Sequence, residues 1–138
     1  MSVVAEGFNA FETPNQPSGV VKYLPDPSSV MALIRSGKLK DHVLLVRGGT
    51  TTFLAPALSM GSTAIITMSG APESHLGILS REFQTPCVMT AYLTSSDSRY
   101  VVGSTDESHF EEIAKGLDGR RVRLDCTDHE VGRVLADD

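Results

Sequence analysis

The sequence predicts an α/β domain with a central, mostly parallel sheet flanked by helices and an added C-terminal β-hairpin. Three apolar runs lack polar alternation, which is typical of strands covered on both faces. They span residues 42–46, 63–68 and 86–91. The order strand–helix–strand–helix–strand favours parallel pairing with right-handed crossovers. Residues 120–125 and 130–135 alternate in polarity around a turn at 127–129, which indicates the hairpin.

The first 29 residues differ in composition from the rest of the chain. They are rich in Pro, Ser, Asn and Gly and contain one short apolar run at residues 19–24. We predict a lead-in segment that wraps the core and contributes one strand. The predicted organisation is therefore a lead-in over residues 1–16, followed by a single domain over residues 17–138.

Helical segments are predicted between the strands and near the C terminus. The turn-forming residues 25–29 supply an N-cap for a short helix, and Gly37 ends that helix. Early acidic residues and a late lysine favour the last predicted helix, because these charges complement the helix dipole. The predicted helices span residues 30–35, 53–60, 74–83 and 104–115.

Composition excludes several classes of function. The chain has 138 residues, 21% charged and 41% apolar, with a formal net charge of −5. This negative charge argues against non-specific binding to nucleic acid, which requires a basic face. No apolar run approaches the roughly 18 residues of a membrane span. Because the N terminus also lacks a basic, apolar signal pattern, we expect a cytoplasmic protein without membrane or nucleic-acid partners.

The cysteine and histidine residues show no metal-ligand spacing. Cys87 and Cys126 each lie in an apolar, strand-like run, which favours buried thiols over a disulfide or a reactive cysteine. The four histidines are scattered along the chain, so we predict no metal site. They are His42, His75, His109 and His129.

His75 lies where a loop gives way to an amphipathic helix after a buried strand. Ser74 is the natural N-cap, and an apolar stripe follows at helical spacing. Its members are Leu76, Leu79 and Phe83. The start of a helix offers unpaired backbone N–H groups and a positive dipole end, which stabilise anions and phosphate especially. Taken alone, however, a histidine at a helix start is more often a cap or a surface residue.

The chemistry of a phosphate-accepting histidine fits this segment. A histidine of ordinary pKa, about 6.5, is largely neutral at pH 7, so one ring nitrogen can act as a nucleophile. Gly77 removes bulk one turn into the helix, where a phosphate can approach closely. Ser74, the backbone N–H groups and Arg81 are candidates to neutralise the phosphoryl charge. An arginine in this position is more often a solvated helix residue.

The whole segment resembles the phosphohistidine segment of the mobile, swivelling domain in phosphoenolpyruvate (PEP)-utilising enzymes. These enzymes include pyruvate phosphate dikinase, PEP synthase and enzyme I of the sugar phosphotransferase system. The family pattern is a Gly-Gly-x-Thr-Ser-His loop, a small-apolar helix with an arginine six residues on, then a proline and a valine-rich strand. The matching residues are Gly70, Ser74, His75, Ile78, Arg81, Glu82, Pro86 and Val88. The likeness extends over residues 17–135, including the strand at 42–46 and the closing hairpin.

Two positions depart from the family pattern. Ala71 replaces the second glycine, which is a mild change. Glu73 replaces the threonine before Ser-His, which is a larger one. A carboxylate here either repels the phosphoryl group or orients His75 and raises its basicity, as carboxylates do for catalytic histidines. The sequence leaves both alternatives open.

The resemblance implies a swivelling β/β/α phosphohistidine domain that acts as a phosphocarrier subunit of a phosphotransferase. His75 would be the nucleophile, with Ser74, Glu73 and Arg81 around it. The implied phosphate-binding residues are Gly70, Gly77, Thr50, Thr51 and Thr52, although three threonines before a helix are more often caps.

In the family, the mobile domain carries the phosphoryl group between two remote sites. The resemblance therefore implies that ATP with Mg²⁺, or PEP, is bound by a separate partner subunit and that this chain itself binds no cofactor. The acceptor would be a small hydroxylated molecule. Two alternatives stay open. One is a non-catalytic binding or regulatory module on the same fold, and the other is the small swivelling subunit of an aconitase X-like hydro-lyase.

Overall fold

A computed structural model describes ten stretches of the chain: residues 3–9, 12–14, 16–24, 27–37, 41–46, 64–67, 81–83, 85–93, 115–128 and 130–136. The strands in chain order are β1 (Val3–Asn9), β2 (Ser18–Tyr23), β3 (His42–Val46), β4 (Ala64–Thr67), β5 (Cys87–Leu93), β6 (Arg121–Asp125) and β7 (Val131–Ala136). Helix α1 (Pro27–Ser36) connects β2 to β3.

The seven strands of the described stretches form a closed barrel in the order β1-β5-β4-β3-β2-β6-β7. Pairing is parallel along β2, β3, β4 and β5. It is antiparallel where β1 joins β5 and β7, and where β6 joins β2 and β7. The predicted parallel arrangement of β3, β4 and β5 and the predicted β6–β7 hairpin are thus confirmed.

The prediction of a mostly parallel sheet with an added hairpin was wrong for the described strands. Four of their pairings are antiparallel and three are parallel. The hairpin is no addition, because β6 bonds to β2 while β7 bonds to β1, and so the hairpin closes the barrel. The helix predicted at residues 53–60 lies outside the described part of the chain. Of the helix predicted at residues 104–115, only Lys115 is described; it has helical backbone, which continues to Leu117.

The first 29 residues contribute two strands, where one was predicted. β1 lies inside the predicted lead-in of residues 1–16 and is paired on both sides, with β5 and with β7. Its sequence, VVAEGFN, carries a glutamate and a glycine that interrupt the apolar alternation. These two residues occur where the strand bulges, since the register with β5 shifts between Glu6 and Phe8.

The barrel has two apolar layers, one inside it and one outside. Alternate residues of β3 and β4 point to opposite faces, as strand geometry requires. Val43, Leu45 and Ile66 lie in the barrel interior, whereas Leu44 and Ile65 pack in a second cluster with α1. Both faces of these strands are therefore buried, as their unbroken apolar runs predicted.

Helix α1 covers the outer side of β3, β4 and β5. Val30 and Leu33 are its buried residues in the outer cluster. The helix begins at Pro27, earlier than the predicted residue 30, because proline is well tolerated in the first turn of a helix. It ends at Gly37 as predicted. There φ is +75°, and the Gly37 N–H donates to the carbonyl of Ile34 at 3.2 Å.

Two aspartates shape the turn between β6 and β7. Asp125 accepts hydrogen bonds from the hydroxyl of Thr127 at 2.6 Å and from its N–H at 3.1 Å. Asp128 accepts from the N–H groups of Glu130 and Val131 at 2.8 and 3.0 Å. The hydrogen bonds from Thr127 lower the pKa of Asp125 below its usual value of 3.8. The charged carboxylate of Asp125 therefore stabilises this turn.

The buried side chain of Asn9 connects β1 to the same turn. Its Nδ2 donates to the carbonyl oxygens of Cys126 at 3.0 Å and Asp128 at 2.6 Å. Both cysteines are buried and neither forms a disulfide, as predicted. Burial raises the pKa of the Cys126 thiol to about 12, and the nearby Asp125 carboxylate adds to this shift. Among the described residues, no helix has both the length and the apolar character needed to cross a membrane.

Close strand contact makes Gly7 harder to replace than Gly37. A Cβ at Gly7 would collide with the carbonyl oxygen of Met89, whereas a Cβ at Gly37 meets nothing within 4 Å. We expect Gly7→Ala to lower the free energy of unfolding by about 3 kcal/mol, the upper range for overpacking. Gly37→Ala should cost about 1 kcal/mol, from the positive φ alone. Urea unfolding of the two variants checks this difference, and equal losses would contradict it.

The lowered pKa of Asp125 predicts a pH-dependent contribution to stability. A depressed pKa in the folded state stabilises the protein above the unfolded-state value, and this contribution is lost as pH falls through the folded-state value. Asp125→Asn keeps an acceptor oxygen but removes the charge. We therefore expect this variant to be less stable at pH 7 and to lose less stability than the wild type between pH 5 and pH 3. Urea unfolding across this pH range is the measurement, and identical pH profiles would rule out the charge as the cause.

Candidate functional site

The strands that precede the candidate site end side by side at one end of the barrel. β3 and β4 are parallel, and their last residues, Val46 and Thr67, are paired in register. We call this end, where β3, β4 and β5 finish, the carboxyl end of the barrel. The segment with Thr50–Thr52 follows β3, and the segment with His75 follows β4. Both predicted phosphate-binding segments therefore begin at the carboxyl end of the barrel, after the last residues of two neighbouring strands.

Most of the predicted site residues lie outside the described stretches. Only Arg81 is described, and it has helical backbone and an exposed side chain. The geometry among the other candidates stays a prediction. These are the predicted catalytic residues Glu73, Ser74 and His75, and the predicted phosphate-binding residues Gly70, Gly77, Thr50, Thr51 and Thr52.

The apolar stripe predicted after His75 does not extend to Phe83. The side chain of Phe83 is 46% exposed. Helical backbone ends at Glu82 and the chain turns at Phe83, so helical periodicity no longer places this ring on the buried face. The other two members of the predicted stripe, Leu76 and Leu79, lie outside the described residues.

The segment after β4 returns to the barrel at its opposite end. Thr85, Pro86 and Cys87 are buried, and β5 begins at Cys87, directly after the proline. The carbonyl oxygen of Pro86 accepts a hydrogen bond from the Ile65 N–H at 2.9 Å. This bond attaches the return of the His75 segment to the strand from which the segment departs. Pro86 thus directly precedes a strand, as the proline of the family pattern does.

Two polar residues at the carboxyl end were missed by the sequence reasoning. Thr67 is the fully buried last residue of β4. Asp118 accepts a hydrogen bond from the Tyr23 N–H at 2.9 Å, and Tyr23 is paired with Leu45 of β3. An Asp-Gly pair is typical of turns, so the sequence could have predicted the turn at residues 118–119, where Gly119 has a φ of +80°. Thr67 gave no comparable signal, because a threonine is common in buried strands.

The described residues offer no metal centre. Among them, no three histidine, cysteine, aspartate or glutamate side chains lie close enough together to hold a metal ion. His42 begins β3 and is half-buried, and the three other histidines lie outside the described stretches.

A family model of the PEP-utilising enzyme mobile domain matches residues 39–128, more than half of the chain. The match begins before β3, includes His75 and Arg81, and ends in the β6–β7 turn. It thus covers the strands that lead into and out of the candidate site.

Curated proteins of mycobacteria are similar to part of this chain. They include the Uncharacterized protein Rv2047c of Mycobacterium tuberculosis and the Uncharacterized protein Mb2073c of Mycobacterium bovis. Each is 30% identical to this chain over 119 residues, with 65% of this chain covered. The chain spans only 14% of the length of these relatives. On the evidence of the family match, with His75 in the segment that joins two parallel barrel strands, the chain belongs to the PEP-utilising enzyme mobile-domain family.

Proposed function

We propose that this chain is a phosphocarrier that accepts a phosphoryl group on His75 and passes it to a small-molecule acceptor. The observation that carries the proposal is the family match, because it includes the Ser74-His75 pair together with Arg81 and Pro86. The barrel topology also supports it, since the segment with His75 and the segment with Thr50–Thr52 start from adjacent strand ends.

The proposed reaction uses His75 twice. In the charging step, a ring nitrogen forms an N–P bond while the P–O bond to the leaving group of the donor breaks, and the leaving oxygen keeps the electron pair. In the second step, an acceptor hydroxyl oxygen forms a P–O bond while the N–P bond breaks. The hydroxyl proton passes to a base of the acceptor site. Ser74, backbone N–H groups of the loop and Arg81 would neutralise the phosphoryl charge during both steps.

We propose that the donor and acceptor sites belong to separate partner subunits. The donor site would hold ATP with Mg²⁺, or PEP, and the acceptor site a small hydroxylated molecule. The chain would supply the nucleophile and the phosphate-binding loop, and it would move the phosphoryl group between the two sites.

A labelling experiment tests the proposal. The chain is mixed with a candidate ATP- or PEP-binding subunit and with ATP and Mg²⁺ or PEP, and phosphate is followed by intact mass and phosphorus NMR. We expect one acid-labile, alkali-stable phosphoryl group per chain, because a phosphoramidate bond has these properties. His75→Ala should remove the label completely, while His129→Ala should keep it. A label that persists in His75→Ala would overturn the assignment.

Glu73 favours one alternative function, a non-catalytic binding module on the same fold. In that case the carboxylate repels phosphate. A competent partner, validated on another phosphohistidine domain, would then leave the wild type unlabelled, and Glu73→Thr would gain the label.

If the chain is a phosphocarrier, we expect the reverse: the wild type is labelled, and the Glu73 variants are labelled more slowly. Glu73 then raises the basicity of His75, so Glu73→Gln should slow labelling and lower the pH at which the labelling rate is half-maximal. A pH–rate profile of both variants and the wild type separates the two functions.

A further inference from the structure

The outward side chains of β2, β6 and β7 form one face of the barrel that is rich in cations. Val21, Val122, Leu124 and Val134 of these strands belong to the barrel interior, so strand alternation places the residues between them on the outside. Of the nine outward positions, four carry a cation and one carries a carboxylate. We call these positions the basic face: Ser18, Val20, Lys22, Arg121, Arg123, Asp125, Val131, Arg133 and Leu135.

The sign of the basic face is opposite to that of the whole chain. The chain has 12 basic and 17 acidic residues and a formal net charge of −5. Four cations against one carboxylate give the basic face a formal charge of +3. Glu6 of β1 lies at its border, 3.9 Å from Nε of Arg133, and the face stays positive when Glu6 is included. Such a concentration of cations on one side of the barrel favours an anionic binding partner.

The basic face is accessible and extends to the carboxyl end of the barrel. Lys22 and Arg121 are exposed, and Arg123 and Arg133 are partly exposed. β2 runs parallel to β3, so Lys22, near the end of β2, lies near the carboxyl end. β6 runs antiparallel to β2, so its first residue, Arg121, lies there as well. The segment with His75 departs from this same end of the barrel.

An exposed aromatic side chain lies beside the basic face. Phe8 of β1 is 54% exposed, more than any other large apolar side chain of the described stretches, and it is paired with Val131. Val20 and Leu135 add half-buried aliphatic surface next to the arginines. Arginine and aromatic residues are enriched at protein–protein interfaces, whereas lysine is depleted. Three arginines, one lysine and Phe8 fit that composition, so a protein partner is favoured over nucleic acid.

We infer that the basic face, together with Phe8, docks an acidic surface of the protein that charges His75. The identity of this partner as the phosphoryl donor subunit rests on the proposed function. Carboxylates of the partner would pair with the arginines, which suit such pairs by their fixed fork of N–H donors, and an apolar residue would cover Phe8. Because the basic face reaches the carboxyl end, a partner docked there lies next to the segment with His75.

Two arginines provide a matched pair of variants. Arg121 is exposed on the basic face, and Arg35 is exposed in the last turn of α1, which covers β3, β4 and β5. Arg121→Glu and Arg35→Glu change the net charge of the chain equally, but only the first changes the basic face. Phe8→Ala removes apolar area without changing a charge. Urea unfolding verifies that each variant folds, and Arg121→Gln replaces Arg121→Glu if the latter does not.

The first readout needs no partner protein. The isotope-labelled chain is titrated at low salt with poly-L-glutamate, which represents an acidic protein surface, and amide shifts are followed by NMR. We expect shifts in β2, β6 and β7 but not in α1, and a Kd that rises about fivefold in Arg121→Glu, the upper range for one exposed ion pair. Arg35→Glu should bind like the wild type. Shifts that extend over α1, or equal weakening in both variants, would overturn the inference.

Two further measurements test other occupants of the same face. A short DNA duplex that still binds the basic face at physiological ionic strength would assign the face to nucleic acid. Self-association of the chain, measured by light scattering and lost in Arg121→Glu, would assign it to a second copy. Either result would overturn the inference. We expect a monomer and no binding of DNA at that ionic strength.

The second readout is the rate at which a candidate ATP- or PEP-binding subunit labels His75. We expect Arg121→Glu to lower kcat/KM about fivefold and to weaken its dependence on ionic strength, since charges at the rim of an interface mainly set the association rate. Phe8→Ala should lower kcat/KM with an unchanged dependence on ionic strength. Arg35→Glu should match the wild type. Wild-type kcat/KM in both Arg121→Glu and Phe8→Ala would overturn the inference.

Potassium phosphoramidate separates the inference from the proposed function, because this small reagent acts without a partner. A ring nitrogen of His75 forms an N–P bond while the P–N bond of the reagent breaks and ammonia leaves. We expect all variants to react at the wild-type rate, and a slower reaction of Arg121→Glu would mean that Arg121 acts at His75 and not in docking. If the wild type accepts no phosphoryl group from phosphoramidate or from a validated partner, the proposed function fails, while the titration still decides whether the basic face binds an acidic surface.

Discussion

Closure of the barrel by β1 is the constraint on which the rest of the described structure depends. β1 pairs antiparallel with β5 on one side and with β7 on the other, and so it joins the parallel strands to the C-terminal hairpin. Without it, both β5 and β7 would be edge strands with unpaired backbone groups. The close approach of Gly7 to Met89 and the bulge after Glu6 let β1 fit between its neighbours.

The closed barrel gives the candidate site a rigid base. β3 and β4 are buried on both faces, inside the barrel and under α1, so their ends are held firmly by packing. The segment that carries His75 is attached at both of its ends. It departs after the buried Thr67, and it returns through Pro86, whose carbonyl bonds back to β4. A carrier of phosphoryl groups benefits from such a base, because a nucleophile must be presented in one orientation to each partner.

The turn with Asp125 and Asp128 helps to hold the barrel closed at the end opposite to the carboxyl end. The turn follows β6 and precedes β7, and Asn9 of β1 bonds two of its carbonyl oxygens. The hairpin register and the position of β1 are thereby linked through one buried amide. The polar groups of Asn9, Asp125 and Asp128 at this end of the barrel therefore stabilise the fold.

The sequence by itself determined the local elements and the family. Unbroken apolar runs predicted β3, β4 and β5 with both faces buried, the polarity alternation predicted the hairpin, and Gly37 marked the end of α1. These features are predictable because hydrophobic periodicity and turn-forming residues are patterns of short segments. The order Ser74-His75, Arg81 and Pro86 likewise predicted the mobile-domain family, which the family match confirmed.

Only the tertiary structure decided how the ends of the chain close the barrel. β1 was missed because the strands that pair with it are far away in the chain, with Asn9 paired to Val88, and because a glutamate and a glycine interrupt its apolar alternation. Phe83 was placed wrongly because helical periodicity cannot show where a helix stops. The complete burial of Thr67 at the end of β4, in register with Val46, was likewise visible only in the structure. Long-range pairing and burial are collective properties, so no single segment encodes them.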